Sequence, residues 1–476
     1  MLCRCVSLRP TCFKSRIINR LRTRTTICSV QQSQQSNKLN TKKNIILGGI
    51  FCSNLYIYTI VRDLKDVIFI NECGASYIPF VKTFINLPIS FLFIGVYNYL
   101  IHKYTINKTY VIIYTSITCL YILFGFVLYP IRHLFYIPNA PVLLKNWVST
   151  VYYVLSPVWG NIVVSVLFWT FANQYTSVQE AKKLYPIMGI IANLSLILGG
   201  FVMNISSVFF KDDWNKNVQM LTIINTCVSI ITLLLFRSFG KYTNDKHTND
   251  KHTNDKHTND KHTNDKHTND KHTNDKHTSS KSSSMTLLQT IQYTMKSRFM
   301  INMGIMISCY GLLSGFYESI WKHYLNIYLP SPIEYSRFVG CVSCCTGVFT
   351  IMMMTTMTFW IDRISWTRLA LLTPIIMGGL GGLFFVSIQT RSIIFVSFTG
   401  AILTIFVKGS KYALFDPCKE LAYIPMCEII KSKGKAAIEM MSSPIGKSGS
   451  NCILQLLLIV FGTLDICAPY IGIIYM

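Results

Sequence analysis

Stretches free of Asp, Glu, Lys and Arg return along the whole chain, separated by short polar intervals. They cover Asn44–Val61, Phe84–Ile101, Thr109–Tyr129, Trp147–Gln179, Leu184–Phe210, Val218–Phe236, Phe299–Tyr317, Phe338–Ile361, Leu369–Thr390 and Ser392–Val407. Most reach or approach the ~20 residues that an α-helix needs to cross the hydrocarbon of a bilayer. Ser448–Leu464 is an eleventh, and Ile466–Met476 gives the beginning of a twelfth. The pattern predicts an all-α, polytopic membrane protein with 11–12 transmembrane helices.

The largest polar interval lies between Phe236 and Met285, where Lys-His-Thr-Asn-Asp repeats and holds seven of the ten histidines, His247 to His277. A spacing of five does not follow one helix face, Lys and Asp cancel, and nothing apolar is available to bury. Residues 237–284 therefore read as a disordered low-complexity linker rather than a metal-buffering array. The linker divides residues 44–236 from residues 285–476, two six-helix halves. Two-halved secondary transporters place their substrate near the midplane between such halves. Residues 1–43 contain ten Lys and Arg and no acid, with Ser and Thr interspersed. That composition fits an organelle transit peptide, or else a basic disordered tail. Lys and Arg in the short loops put the N-terminus and the linker on the same, inner face.

Composition narrows the function classes. Half of the 476 residues are hydrophobic and 14% are charged, against about a quarter charged in soluble chains. The net charge of +24 lies in the N-terminal tail and at loop ends, where it orients helices and meets anionic lipid. No basic, aromatic-studded module suited to nucleic acid is present. The 16 cysteines fall mostly singly within apolar runs, where Cys behaves as a small hydrophobe. Cys341, Cys344 and Cys345 cluster, but no His lies near to complete a zinc set. No catalytic triad, metal set or cofactor motif is found, so no enzyme activity and no cofactor is expected.

Charges at the edges of the apolar runs carry the chemistry. Lys82, in Pro79-Phe80-Val81-Lys82-Thr83-Phe84, either snorkels to the interface or lines a pore. Arg62-Asp63-Leu64-Lys65-Asp66 follows Val61 and is either a solvated helix end or a cavity mouth. Glu318 closes the seventh run, and Lys447 precedes the eleventh in Pro444-Ile445-Gly446-Lys447-Ser448-Gly449. Gly446-Lys447-Ser448 imitates a phosphate loop, but Met441 stands where the first glycine of that motif belongs. Cations facing one or two carboxylates inside a bundle suit a polyanion such as a polyphosphate.

Several segments resemble the nucleotide transporter family, the ATP/ADP translocases of plastids and obligate intracellular bacteria. They are Arg62–Asp66, Ile78–Thr83 with Asn86-Leu87-Pro88, Leu167–Gln174, Glu180–Pro186, Ser410–Glu420 with Ala422–Pro425, Lys433–Ile438 and Pro444–Gly449. The resemblance implies a major-facilitator-like fold and exchange of ATP for ADP by alternating access, with ATP, ADP and the lipid bilayer as partners. It implies a plastid inner envelope membrane, and roles for Lys82, Glu318 and Lys447 in transport. Arg62 and Lys65 are expected as supporting cations. A fourth family residue, a glutamate before Trp-Gly, aligns with Pro157 in Ser156-Pro157-Val158-Trp159-Gly160. That departure leaves open another nucleotide, net import, or a degenerate protein that no longer transports.

Overall fold

The computed structural model describes residues 11–176, 178–258, 297–360, 363–423 and 435–476. Six helical segments precede the repeat: α1 (Thr11–Cys73), α2 (Ala75–Lys103), α3 (Ile106–Leu128), α4 (Trp147–Tyr175), α5 (Val178–Phe209) and α6 (Trp214–Thr258). Six follow it: α7 (Arg298–Tyr328), α8 (Pro332–Trp360), α9 (Trp366–Gln389), α10 (Ile393–Glu420), α11 (Lys435–Phe461) and α12 (Leu464–Tyr475). The described residues contain no strand. Among the described residues, ten helices are long and apolar enough to cross a membrane, while Ile445–Phe461 and α12 are shorter apolar helices.

Contacts divide the chain into residues 1–50 with 234–262, and residues 51–233 with 263–476. In the first unit the backbone is helical from Thr11 and again up to Thr258. The sequence reading allowed a disordered tail and expected a disordered linker in those stretches. The repeat holds no Gly or Pro to stop a helix already nucleated by the apolar part of α6. The remaining repeats and residues 1–10 lie outside the described residues.

In the second unit the first helix differs from its predicted extent. The charge-free run stops at Val61, but α1 continues to Cys73. Gly74, at φ 93, ends it, and its N–H caps the Ile70 carbonyl at 3.0 Å. A left-handed glycine is the usual device for such a stop. The Arg62–Asp66 stretch is therefore the middle of a helix, not its solvated end. Lys447 is likewise interior, because α11 begins at Lys435.

Four stretches are wound as π-helix: Val81–Asn86, Phe124–Leu128, Trp159–Phe168 and Lys411–Phe415. Each has a proline within two residues of one end: Pro88 and Pro79, Pro130, Pro157 and Pro417. A proline offers no N–H to the carbonyl four residues earlier, so the ladder re-registers into a wider turn. Three of these stretches border the site described below. At the loop side, the Asp213 carboxylate accepts the Lys216 N–H at 3.1 Å and caps α6, which holds its carboxyl below the usual range.

Close helix pairs depend on glycine. On α5 and α8, Gly200 and Gly340 abut each other's backbones, and Gly347 faces Ile197 and Asn193. On α7 and α11, a Cβ on Gly311 would stand 3.3 Å from Gly446 Cα and Lys447 N. Small residues let helices approach this closely inside a bilayer. One apolar cluster joins both halves at the Cys73 end, with Phe69, Ile70, Ile78 and Tyr153 against Phe316, Ile320, Trp321 and Leu454.

Candidate functional site

The charged stretch of α1 faces the second half of the bundle. Asp63, Lys65 and Asp66 are buried, and each has a partner. Arg62 Nε donates to Asp63 Oδ1 at 2.8 Å, and Ser343 of α8 donates to Asp63 Oδ2 at 2.6 Å. Lys65 Nζ is 2.6 Å from Asp66 Oδ1 and lies 4.2 Å from the centre of the Tyr153 ring on α4. Asp66 Oδ2 receives Lys322 of α7 at 2.8 Å. One turn earlier, Glu318 accepts from Lys322 at 3.0 Å, and Lys408 of α10 stands 3.8 Å from the same oxygen. Charges thus alternate from Lys65 through Asp66, Lys322 and Glu318 to Lys408, crossing from one half to the other.

Beside this chain lies a small cavity, lined among others by Arg62, Asp66, Glu318, Lys322, Lys408 and Tyr412. Lys411, from the π-wound turn of α10, lies 5.0 Å from the Tyr412 ring and 5.8 Å from the Tyr310 ring. The rings attract its ammonium, and the Asp416 carboxylate stands 3.8 Å from it.

The structure brings all five predicted residues into this region. Lys82 sits in the π-wound turn of α2, half-buried, and feels Glu318 most strongly among nearby charges, then Lys322 and Lys65. Lys447 on α11 is accessible and feels Lys411, Glu318, Tyr412 and Lys408. Neither lysine forms an ion pair among the described residues. Glu318 instead carries Lys322 and Lys408. Sequence reasoning offered Asp66 only as part of a cavity mouth, and missed Lys322, Ser343, Lys408 and Lys411 as members of the site. Lys322 was within reach, since it follows Glu318 by one helical turn.

Pro157 lies inside α4, one turn after Tyr153 and before the π-wound stretch. A side chain there shares the face that meets Lys65 and Tyr58, because Tyr153 contacts Lys65 and Gly160 abuts Tyr58. Proline leaves that face without a carboxylate.

The sequence profile of the TLC ATP/ADP transporter family matches residues 35–476. The chain belongs to that family. Among its relatives, "ADP,ATP carrier protein 1, chloroplastic" of Arabidopsis thaliana is 32% identical over 470 residues, covering 91% of this chain and 71% of the relative. The "Plastidic ATP/ADP-transporter" of Solanum tuberosum is 32% identical over 472 residues, with 90% and 70% covered. "ADP,ATP carrier protein 1" of Chlamydia muridarum is 29% identical over 460 residues, with 89% and 83% covered. Among solved structures, an inward-facing bacterial homologue of the iron transporter ferroportin aligns with TM-score 0.59 at 11% identity, over 92% of this chain and 97% of that one. A D-xylose-proton symporter aligns with TM-score 0.52 at 12% identity, over 90% and 95%. This TLC-family member is thus a multi-pass membrane protein of major-facilitator-like fold.

Proposed function

We propose that the protein exchanges ATP for ADP across a plastid-type inner membrane by alternating access. The observation that carries this reading is a pair of lysines, Lys82 on α2 and Lys447 on α11, that come from opposite halves and share the field of Glu318 without an ion pair of their own. A cation with no carboxylate partner is costly between the helices of a membrane bundle, and a polyphosphate entering between the halves supplies the missing negative charge. Arg62 and Lys65 hold carboxylates on the same rim and keep the local field positive. Adenine nucleotides and the plastid membrane are proposed from the names carried by the Arabidopsis and Solanum relatives. Residues 1–43 would then act as the import signal, and residues 44–236 and 285–476 as the two halves that move about the site.

Vesicles containing the purified protein and loaded with ADP should take up labelled ATP, while empty vesicles should not. Equal uptake into empty vesicles would make the protein a uniporter or a symporter and overturn exchange. A second reading, preference for a different nucleotide, is favoured by Pro157 on the Lys65 face of α4. A panel of nucleoside di- and triphosphates offered to ADP-loaded vesicles separates the two readings.

A further inference from the structure

Two polar contacts join α1 to the other half of the bundle, and the transport reading leaves both without a role. Asp66 meets Lys322 of α7 at 2.8 Å, and one turn earlier Asp63 accepts Ser343 of α8 at 2.6 Å. All four residues are buried. The pattern of their other partners is informative. When the halves part, Asp66 keeps Lys65, Asp63 keeps Arg62, and Lys322 keeps Glu318, each on its own helix. A permanent staple would not need these reserves, whereas a contact that opens in every cycle does. They leave no carboxylate bare at the moment of separation, which is the state that makes broken buried pairs so costly.

Lys322 is the group whose balance changes most, since it passes from two carboxylates to one. The hydroxyls of Tyr153 and Tyr335, both buried, have no hydrogen-bond partner among the described residues, and both rings share the field of Lys322 and Asp66. Two spare donors beside a lysine are what an anionic ligand would use.

We propose that Asp66–Lys322, seconded by Asp63–Ser343, is an inter-half latch that holds the empty carrier closed at its Cys73 end. A nucleotide polyphosphate releases it by taking over Lys322 and Lys408. This rests on the exchange function proposed above and names the residues that would make exchange obligatory. The empty carrier cannot reorient because nothing replaces Asp66 at Lys322. The loaded carrier can, because phosphate oxygens do. Lys322 and Lys408 touch substrate in this scheme, whereas Asp66, Asp63 and Ser343 act through them as positioning residues.

The test compares two rates in the same vesicles: uptake of labelled ATP against internal ADP, and efflux of labelled ADP into nucleotide-free buffer. The wild type should show uptake with little efflux. Asp66→Asn removes the inter-half carboxylate while Lys322 keeps Glu318, and net efflux should rise by roughly tenfold or more because no buried pair between the halves then has to be broken. Ser343→Ala removes one hydroxyl and poses little threat to folding. It should raise efflux by a smaller factor, at unchanged protein content per vesicle. Efflux at the wild-type level in Ser343→Ala and in Asp66→Asn, with exchange intact in the wild type, overturns the latch alone. A wild type that fails to exchange ATP for ADP overturns the proposed function and the latch with it.

Discussion

An ammonium group without a carboxylate partner inside a helical bundle needs something else to balance it, and Lys82 and Lys447 both pose that problem. Under the proposed exchange function, replacing either with Met would remove one charge-assisted hydrogen bond to phosphate, worth about 1.5–3 kcal/mol. The ATP concentration for half-maximal exchange should rise roughly tenfold to a hundredfold, at 1.4 kcal/mol per factor of ten. Unchanged saturation curves for both variants would remove these lysines from the substrate site. Pro157 tests the field from the other side. Glu in place of Pro157 would present a carboxylate to the face of α4 that meets Lys65. ATP, carrying the larger charge, should lose more affinity than ADP, so the ATP:ADP affinity ratio should fall. An unaltered ratio would show that position 157 does not set the field. Lys82, Glu318 and Lys447 were legible in the sequence because charge among apolar residues is rare and costly. Their partners were not, since nothing local in Asp66 or Ser343 announces a contact with a helix more than 250 residues away.

At the level of the helix, the sequence found nearly every span and misjudged where several of them end. Charge-free runs stop at Val61, Tyr317 and Val407, and in each case the helix continues through the charges that follow. The reason is physical. A window that forbids charge must close at a polar site buried in the bundle, so Arg62–Asp66, Glu318 with Lys322, and Lys408 with Lys411 fall just past its edge. The π-wound turns left a trace in the sequence through their bordering prolines, but proline alone does not specify them: Pro374 and Pro469 lie inside ordinary α-helix. Packing between elements gives a sharper prediction. A methyl group on Gly446 would overlap the Ser308 carbonyl oxygen, and Gly311 allows α7 to lie against the backbone of Lys447. Gly446→Ala should therefore push α11 off α7, displace Lys447 and abolish most exchange, with a lower melting temperature in lipid. Gly378→Ala on α9 meets nothing within 4 Å and is the matched control. Equal exchange by the two variants would show that close α7–α11 contact does not position Lys447.

Alternating access demands that one end of the bundle open as the other closes, and the apolar cluster at the Cys73 end identifies which is closed here. Phe69, Ile70, Cys73 and Ile78 from the first half pack with Phe316, Ile320, Leu454 and Cys467 from the second, all of them buried. That seal has to separate for cargo to leave on this side. Cys73 reports on it, since its thiol is buried near Thr150, with a sulfur–oxygen distance of 3.9 Å. In a variant that keeps Cys73 as its sole cysteine, a membrane-impermeant maleimide added on this side should react slowly while no nucleotide is present. ATP on one side and ADP on the other keep the carrier cycling, and labelling should then accelerate several-fold. A ligand shifts a conformational equilibrium only as far as it binds one state better than the other. A rate that ignores nucleotide would therefore mean that the seal does not open during exchange, and the path of the substrate would have to run elsewhere than through the cluster around Cys73.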